Sequence, residues 1–237
     1  MKKSKSQVIQ AMKSQPLSVG ILSSNWLELK QNLSILQNNR LKLLHFDLAD
    51  GQFSPLFTVG AGAIKQFPDL FYKDVHLMVK NQCELAKTCV ANGADIVTLQ
   101  LEGDGDLAAT LAWLNAQSAV EEQQPVLGGI SLCPDTDLSQ LAPYLDQVDV
   151  IQVLTLDPRS GEKADEFSVL TRIKSIINIL GTKRQDKIIS VDGAMTLDLA
   201  TKVQALGVDW VVSGSALFAD GNLEQTLKTW KAQLGYQ

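Results

Sequence analysis

Short runs of apolar and β-branched residues alternate along the chain with stretches in which apolar positions recur every three or four residues. The first pattern reads as buried strand and the second as amphipathic helix. Strand-type runs fall at 17–22 (LSVGIL), 41–48 (LKLLHFDL), 71–79 (FYKDVHLMV), 95–101 (DIVTLQL), 125–132 (PVLGGISL), 148–156 (VDVIQVLTL), 187–193 (KIISVDG) and 209–214 (DWVVSG). Helical periodicity covers 26–37, 83–93, 106–117, 167–180 and 196–207, with weaker helical segments near 60–67 and 137–144. Gly93, Gly181 and Gly207 stand where a helix is expected to stop. Strands separated by helices run parallel, because each crossover returns the chain to the same end of the sheet. Eight such runs with no linker between them predict an α/β fold, a single (β/α)8 TIM barrel over 17–237. An open flavodoxin-like sheet with fewer strands is the alternative. Residues 1–16 are polar, are closed off by Pro16, and read as a loosely held helix or arm.

Composition narrows the partners. The 237 residues are 45% apolar, enough for one large core, and carry a net charge of −5 with a pI near 5.1. That balance gives no attraction toward nucleic acid or an anionic membrane surface. No apolar run approaches the ~18 residues of a membrane-spanning helix. The basic start MKKSKSQ has no apolar h-region behind it, so no secretory signal is expected. Cys83, Cys89 and Cys133 are odd in number and far apart, which argues against a disulfide framework or a thiolate zinc site. The expectation is a cytoplasmic protein. Trp26, Trp113, Trp210 and Trp230 read as packing residues, and Cys133 as a small buried hydrophobe.

Barrels place their chemistry at the C-terminal ends of the strands. The chain has two histidines, and both fall near such ends. His45 and Asp47 are two apart, so on a strand they share one face. Facing the interior, they bury a carboxylate that needs compensating charge, which a divalent cation supplies. His76 from the third strand and Asp192 from the seventh complete a set of two nitrogens and two oxygens. Zn²⁺, Fe²⁺, Mn²⁺ and Co²⁺ all suit these donors, and zinc is taken first. A hydrogen-bonded His–Asp core without metal is the alternative. Asp47 and Asp192 also suit proton chemistry at a sugar carbon, one removing a proton and the other returning it, with a metal stabilising the enediolate. The loops after the seventh and eighth strands, VDGAMTLD (191–198) and SGSALF (213–218), lie where barrels bind phosphate. Backbone N–H groups around Gly193, Ala194 and Gly214 and the Ser215 hydroxyl are the candidate donors.

LHFDLADGQFSP (44–55), DVHLMV (74–79) and VDGAMTLDLATKVQALGVDWVVSGSALF (191–218) resemble three motifs of the ribulose-phosphate 3-epimerase family. Weaker similarity covers 21–25, 93–102 and 129–136, so the resemblance runs in order over 17–218. It implies a (β/α)8 barrel that interconverts D-ribulose 5-phosphate and D-xylulose 5-phosphate at C3, usually as a homo-oligomer. It further implies His45, Asp47, His76 and Asp192 as metal ligands, Asp47 and Asp192 as the acid/base pair, and Met78 lining the site. The departures are specific. Gly20 replaces a substrate-contacting serine, Ala49 a methionine, Ala194 a second glycine and Cys133 a lysine. The loop over 155–167, TLDPRSGEKADEF, is longer and more charged than its family counterpart, and Arg159 or Lys163 could supply a replacement phosphate contact. Two other outcomes fit these changes: action on a related ketose phosphate such as allulose 6-phosphate, or a non-catalytic paralogue that binds a sugar phosphate or a protein. A decarboxylase of the related phosphate-binding barrels fits worse, since Asp47-Leu48-Ala49-Asp50 lacks the lysine of a DxKxxD motif.

Overall fold

The eight strand-type runs fold as β1 (Leu17–Gly20), β2 (Leu43–Ala49), β3 (Tyr72–Met78), β4 (Ile96–Gln100), β5 (Leu127–Leu132), β6 (Val150–Leu154), β7 (Ile188–Asp192) and β8 (Trp210–Ser213). The computed structural model describes residues 3–117 and 124–236; residues 1 and 2 of the expected arm lie outside that range. Each strand pairs in parallel with its sequence neighbours, and β8 pairs back onto β1. The sheet is therefore a closed barrel, and the open alternative does not apply.

Helix α1 (Lys5–Lys13) precedes the barrel, and α2 (Leu29–Asn38), α3 (Gln82–Ala91), α4 (Leu107–Asn115), α5 (Glu166–Leu180) and α6 (Leu197–Ala205) form the regular crossovers. After β8 come the short α7 (Ser215–Phe218) and the terminal α8 (Leu223–Gln233). Strand-to-helix loops end in good caps. Asp106, Asp165 and Thr196 accept the first free N–H groups of α4, α5 and α6, each worth roughly 0.5–2 kcal/mol. The two weak helical segments are 3-10 turns, Ala61–Gln66 and Leu138–Tyr144, rather than α-helices. Gly60 and Gly62 bracket the start of the first, and Pro143 inside the second removes a donor that a longer α-helix would need.

Period-two alternation sorts each strand into two faces. Leu44, Phe46 and Leu48 of β2 point out into the layer under the helices, where Phe46 packs edge-on against Phe67 at 4.8 Å. Leu43, His45 and Asp47 occupy the inner face. At the lower end of the barrel the inner residues are Leu43, Ile96, Leu127, Val150, Ile188 and Trp210, and Val8, Ile9 and Met12 of α1 pack directly on them. The segment expected as a loose arm is thus a floor. Burying each of those α1 side chains is worth about 1.5–3 kcal/mol. Lys5 pairs with Asp149 at 2.7 Å and Lys13 donates to the Gln185 carbonyl at 2.9 Å, which ties both ends of α1 down. Trp210 and Trp230 are buried as expected. Trp26 is 63% exposed and corrects the packing expectation for that residue. Among the described residues, no helix is long and apolar enough to cross a membrane.

Candidate metal centre

At the upper end of the same strands the inner positions become polar. His45 and Asp47 come from β2, His76 from β3 and Asp192 from the last position of β7. One donor atom from each lies within 4.8 Å of the other three. Asp47 Oδ1 sits 3.2 Å from His45 Nε2 and 3.1 Å from His76 Nδ1, and Asp192 Oδ2 lies 3.7 Å from His45 Nε2. Donors around a tetrahedral Zn²⁺ with bonds near 2.0–2.1 Å stand about 3.3 Å apart, and these three separations lie near that value.

The outer ring nitrogens decide what the inner ones can do. His45 Nδ1 lies 2.8 Å from Asp74 Oδ2, which also accepts from Ser18 Oγ at 3.0 Å. His76 Nε2 lies 2.7 Å from Gln100 Oε1. Both outer partners accept, so each outer nitrogen carries the hydrogen of a neutral ring. The inner nitrogens, His45 Nε2 and His76 Nδ1, then aim lone pairs at a carboxylate oxygen. Lone pair against lone pair is repulsive unless a cation or a proton lies between. The donor set therefore fits a divalent cation, and those four residues are the ones that could hold it.

In the absence of a cation, protons take that place. Burial works to lower the His45 imidazole, but the charges of Asp74 and Asp47 outweigh it and hold the ring well above its ordinary range. Burial likewise works to raise Asp47, yet the charge of His45 and hydrogen bonds from both rings keep this carboxyl well below the usual carboxylate range. Asp192 goes the other way. Burial and the neighbouring Asp47 charge push it up to about 6. Gln152 Nε2 at 3.1 Å and the Gly193 N–H at 2.6 Å donate to its two oxygens. Two carboxyls in one site with affinities pushed apart form the arrangement that acid/base work uses.

Residues 16–218 match the sequence pattern of the ribulose-phosphate 3-epimerase family. The chain belongs to that family. Among its relatives, "Putative epimerase LsrE" of Salmonella typhi is 46% identical over 92% of this chain and 87% of its own length. The ribulose-phosphate 3-epimerase of Treponema pallidum is 30% identical, covering 89% of this chain and 94% of its own. Among solved structures, KGPDC from Streptococcus mutans superposes with a TM-score of 0.62 at 18% identity, covering 93% of this chain and 97% of that one. At that identity the likeness speaks for the barrel alone.

The remaining epimerase-family positions fall around the same mouth. Met78 ends β3 in register with Ala49 at the end of β2, and both are buried. Gly193 and Ala194 follow β7, and Gly214 and Ser215 follow the neighbouring β8. Gly193 has φ near 100°, and a Cβ there would come within 3.1 Å of the Leu156 nitrogen. Ala194 holds φ near 41°, a left-handed conformation that disfavours a side chain. Arg159, a candidate phosphate contact, is already engaged: its guanidinium binds Asp157 at 2.6 Å and Asp135 at 3.2 Å. Lys163 pairs through its backbone with Leu156 in the same loop. Cys133 is buried, and burial raises its thiol, in keeping with the packing role expected for it.

Sequence reasoning assigned no role to Ser18, Asp74, Gln100, Glu102 or Gln152. Their signal was available. Each is a polar residue at an inner alternate position of an otherwise apolar strand, or two residues beyond one.

Proposed function

We propose that this chain is a metal-dependent ketose-phosphate 3-epimerase that interconverts D-ribulose 5-phosphate and D-xylulose 5-phosphate. The observation that carries the reading is the convergence of two imidazole lone pairs and two carboxylates on one point at the barrel mouth. A divalent cation held there, zinc first, would supply positive charge to the substrate oxygens beside C3 as the proton leaves. Asp47 and Asp192 do the proton transfer. One accepts the C3 proton, and the other, already protonated, delivers its own to the opposite face, so the configuration inverts. Gln152 and the Gly193 N–H steady the Asp192 carboxylate. The N–H groups of Ala194 and Gly214 with the Ser215 hydroxyl take the phosphate, Gly193 lets the backbone approach it closely, and Met78 and Ala49 line the sugar chain.

A second reading, a different ketose phosphate, rests on the first strand. A Cβ at Gly20 would lie 3.0 Å from Gly214 Cα, so a serine there would require the backbone just after β8 to shift by a few tenths of an ångström. The higher identity to the LsrE epimerase than to the Treponema ribulose-phosphate 3-epimerase points the same way. The homo-oligomer implied by the family draws support from Leu27 and Phe57, which are 97% and 80% exposed. Sedimentation velocity tests it, and a monomer at micromolar concentration removes it.

The deciding experiment follows the C3 proton of D-ribulose 5-phosphate by NMR in deuterated buffer with metal-loaded protein. Exchange accompanied by xylulose 5-phosphate is expected. Exchange with allulose 6-phosphate instead selects the second reading. No exchange with either sugar, at one bound metal per chain, overturns the epimerase reading in favour of a binding paralogue.

A further inference from the structure

The two histidines of the candidate metal centre are backed differently. His45 leans on a carboxylate, whereas His76 leans on an amide. An amide can present either its oxygen or its nitrogen, so something must choose. Gln100 Nε2 hydrogen-bonds to Glu102 Oε2 and lies 3.3 Å from Cys133 Sγ. A carboxylate accepts and does not donate, so the NH₂ end of the amide belongs on the Glu102 side. Oε1 is then left facing His76 Nε2 at 2.7 Å. An amide oxygen cannot donate, which places the ring hydrogen on Nε2 and the lone pair on Nδ1, turned inward toward Asp47.

The arrangement is braced from two helices. Gln82 at the start of α3 accepts the Gln100 backbone N–H at 2.7 Å and donates to its carbonyl at 3.0 Å, so the Gln100 main chain is gripped by a side chain. Glu102 accepts from the Cys133 N–H at 2.9 Å and from the Thr136 hydroxyl. Arg172 of α5 donates to the carbonyls of Cys133 and Thr136 at 3.0 and 2.6 Å. Gln82 and Gln100 are fully buried, so water does not compete for these bonds.

We infer that Gln100, oriented by Glu102, is the positioning residue that fixes His76 as an Nδ1 donor toward the metal, opposite in tautomer to the Nε2 donor His45. The inference rests on the metal reading proposed above. It also explains why a neutral residue stands at position 100: the amide passes on the orientation set by Glu102 while holding its charge one side chain away from the ring.

Because the chain has two histidines, ¹⁵N-imidazole labelling gives two ring systems to resolve. In the zinc-loaded protein, one ring is expected to be protonated at Nδ1 and the other at Nε2. Gln100→Leu should cost the second ring its single tautomer and weaken zinc binding, measured by chelator competition, by roughly 10- to 100-fold. Glu102→Gln does not touch His76, and it should move both readouts the same way by less. It carries the test if Gln100→Leu does not fold. The inference is overturned if both rings share one tautomer in the wild-type protein. It is equally overturned if the variants that fold keep wild-type zinc affinity and an unchanged His76 ring. If zinc does not bind at all, the metal reading fails separately. The metal-free protein at pH 9 then decides the Gln100 role, by whether its His76 ring is protonated at Nε2.

Discussion

The lower and upper ends of the barrel are built by the same strands and have opposite chemistry. Moving up the inner face in steps of two, β2 runs Leu43, His45, Asp47; β4 runs Ile96, Thr98, Gln100; β7 runs Ile188, Ser190, Asp192. Below, apolar side chains meet α1 in a dry floor. Above, the inner side chains turn polar, and Asp74, Gln100 and Gln152 hydrogen-bond to residues that could hold the cation. A gradient over two steps lets one element carry stability at one end and chemistry at the other. Damage at either end should therefore leave the other standing.

The largest expected effect is on the chemical end. Asp192→Asn removes one of the two proton carriers and should lower C3 exchange by roughly 10²–10⁴-fold, with thermal unfolding little changed. A variant with wild-type exchange removes Asp192 from its role. At the other end, Met12→Ala opens a cavity in the floor and should cost about 2–5 kcal/mol in denaturant unfolding while the folded protein keeps its zinc affinity. An unaltered midpoint would show that α1 is dispensable. Mild acid should act on the mouth first. His45, raised above its ordinary range, must give up its inner proton when a cation binds, and protonation of Asp192, raised to about 6 in the metal-free protein, weakens its hold on the ion. Zinc affinity should thus fall by at least about tenfold per pH unit below that value, and rise again as pH is restored. Titration at several pH values reads this directly, and a flat profile would separate these groups from the metal. The smallest effect is at Ala194, whose positive φ disfavours a side chain. Ala194→Gly should raise stability by about 1 kcal/mol, a shift of some 2–4 °C in melting temperature.

The strands were legible because parallel strands buried on both faces read as apolar runs, and the four donor residues because polar residues interrupt those runs near their ends. The floor was not. Val8, Ile9 and Met12 are isolated apolar residues in a polar segment, and their significance comes from six residues on six strands that only the closed barrel assembles. The weak crossovers at 61–66 and 138–144 carried helical spacing but also the glycines and the proline that shorten them into 3-10 turns. Gln100 and Gln152 looked like ordinary polar residues, since an amide declares its partner only when the neighbouring strand is in place. Arg159 looked available because Asp157, two residues away, could not be known to fold back onto it.

The loop after β6 has a consequence for how a ligand arrives. Ala164 N–H bonds to the Thr155 carbonyl, Asp157 N–H to Glu162 and Gly161 N–H to Asp157, at 2.9, 2.9 and 2.7 Å, so 155–164 is a hairpin held by its own backbone. Arg159 links its tip to Asp135 in the neighbouring loop after β5. Ordering ten free residues costs on the order of 10 kcal/mol in backbone entropy. In this loop the backbone bonds formed on folding offset part of that cost. A wall that holds itself together in this way draws little on the binding energy of whatever enters beside it.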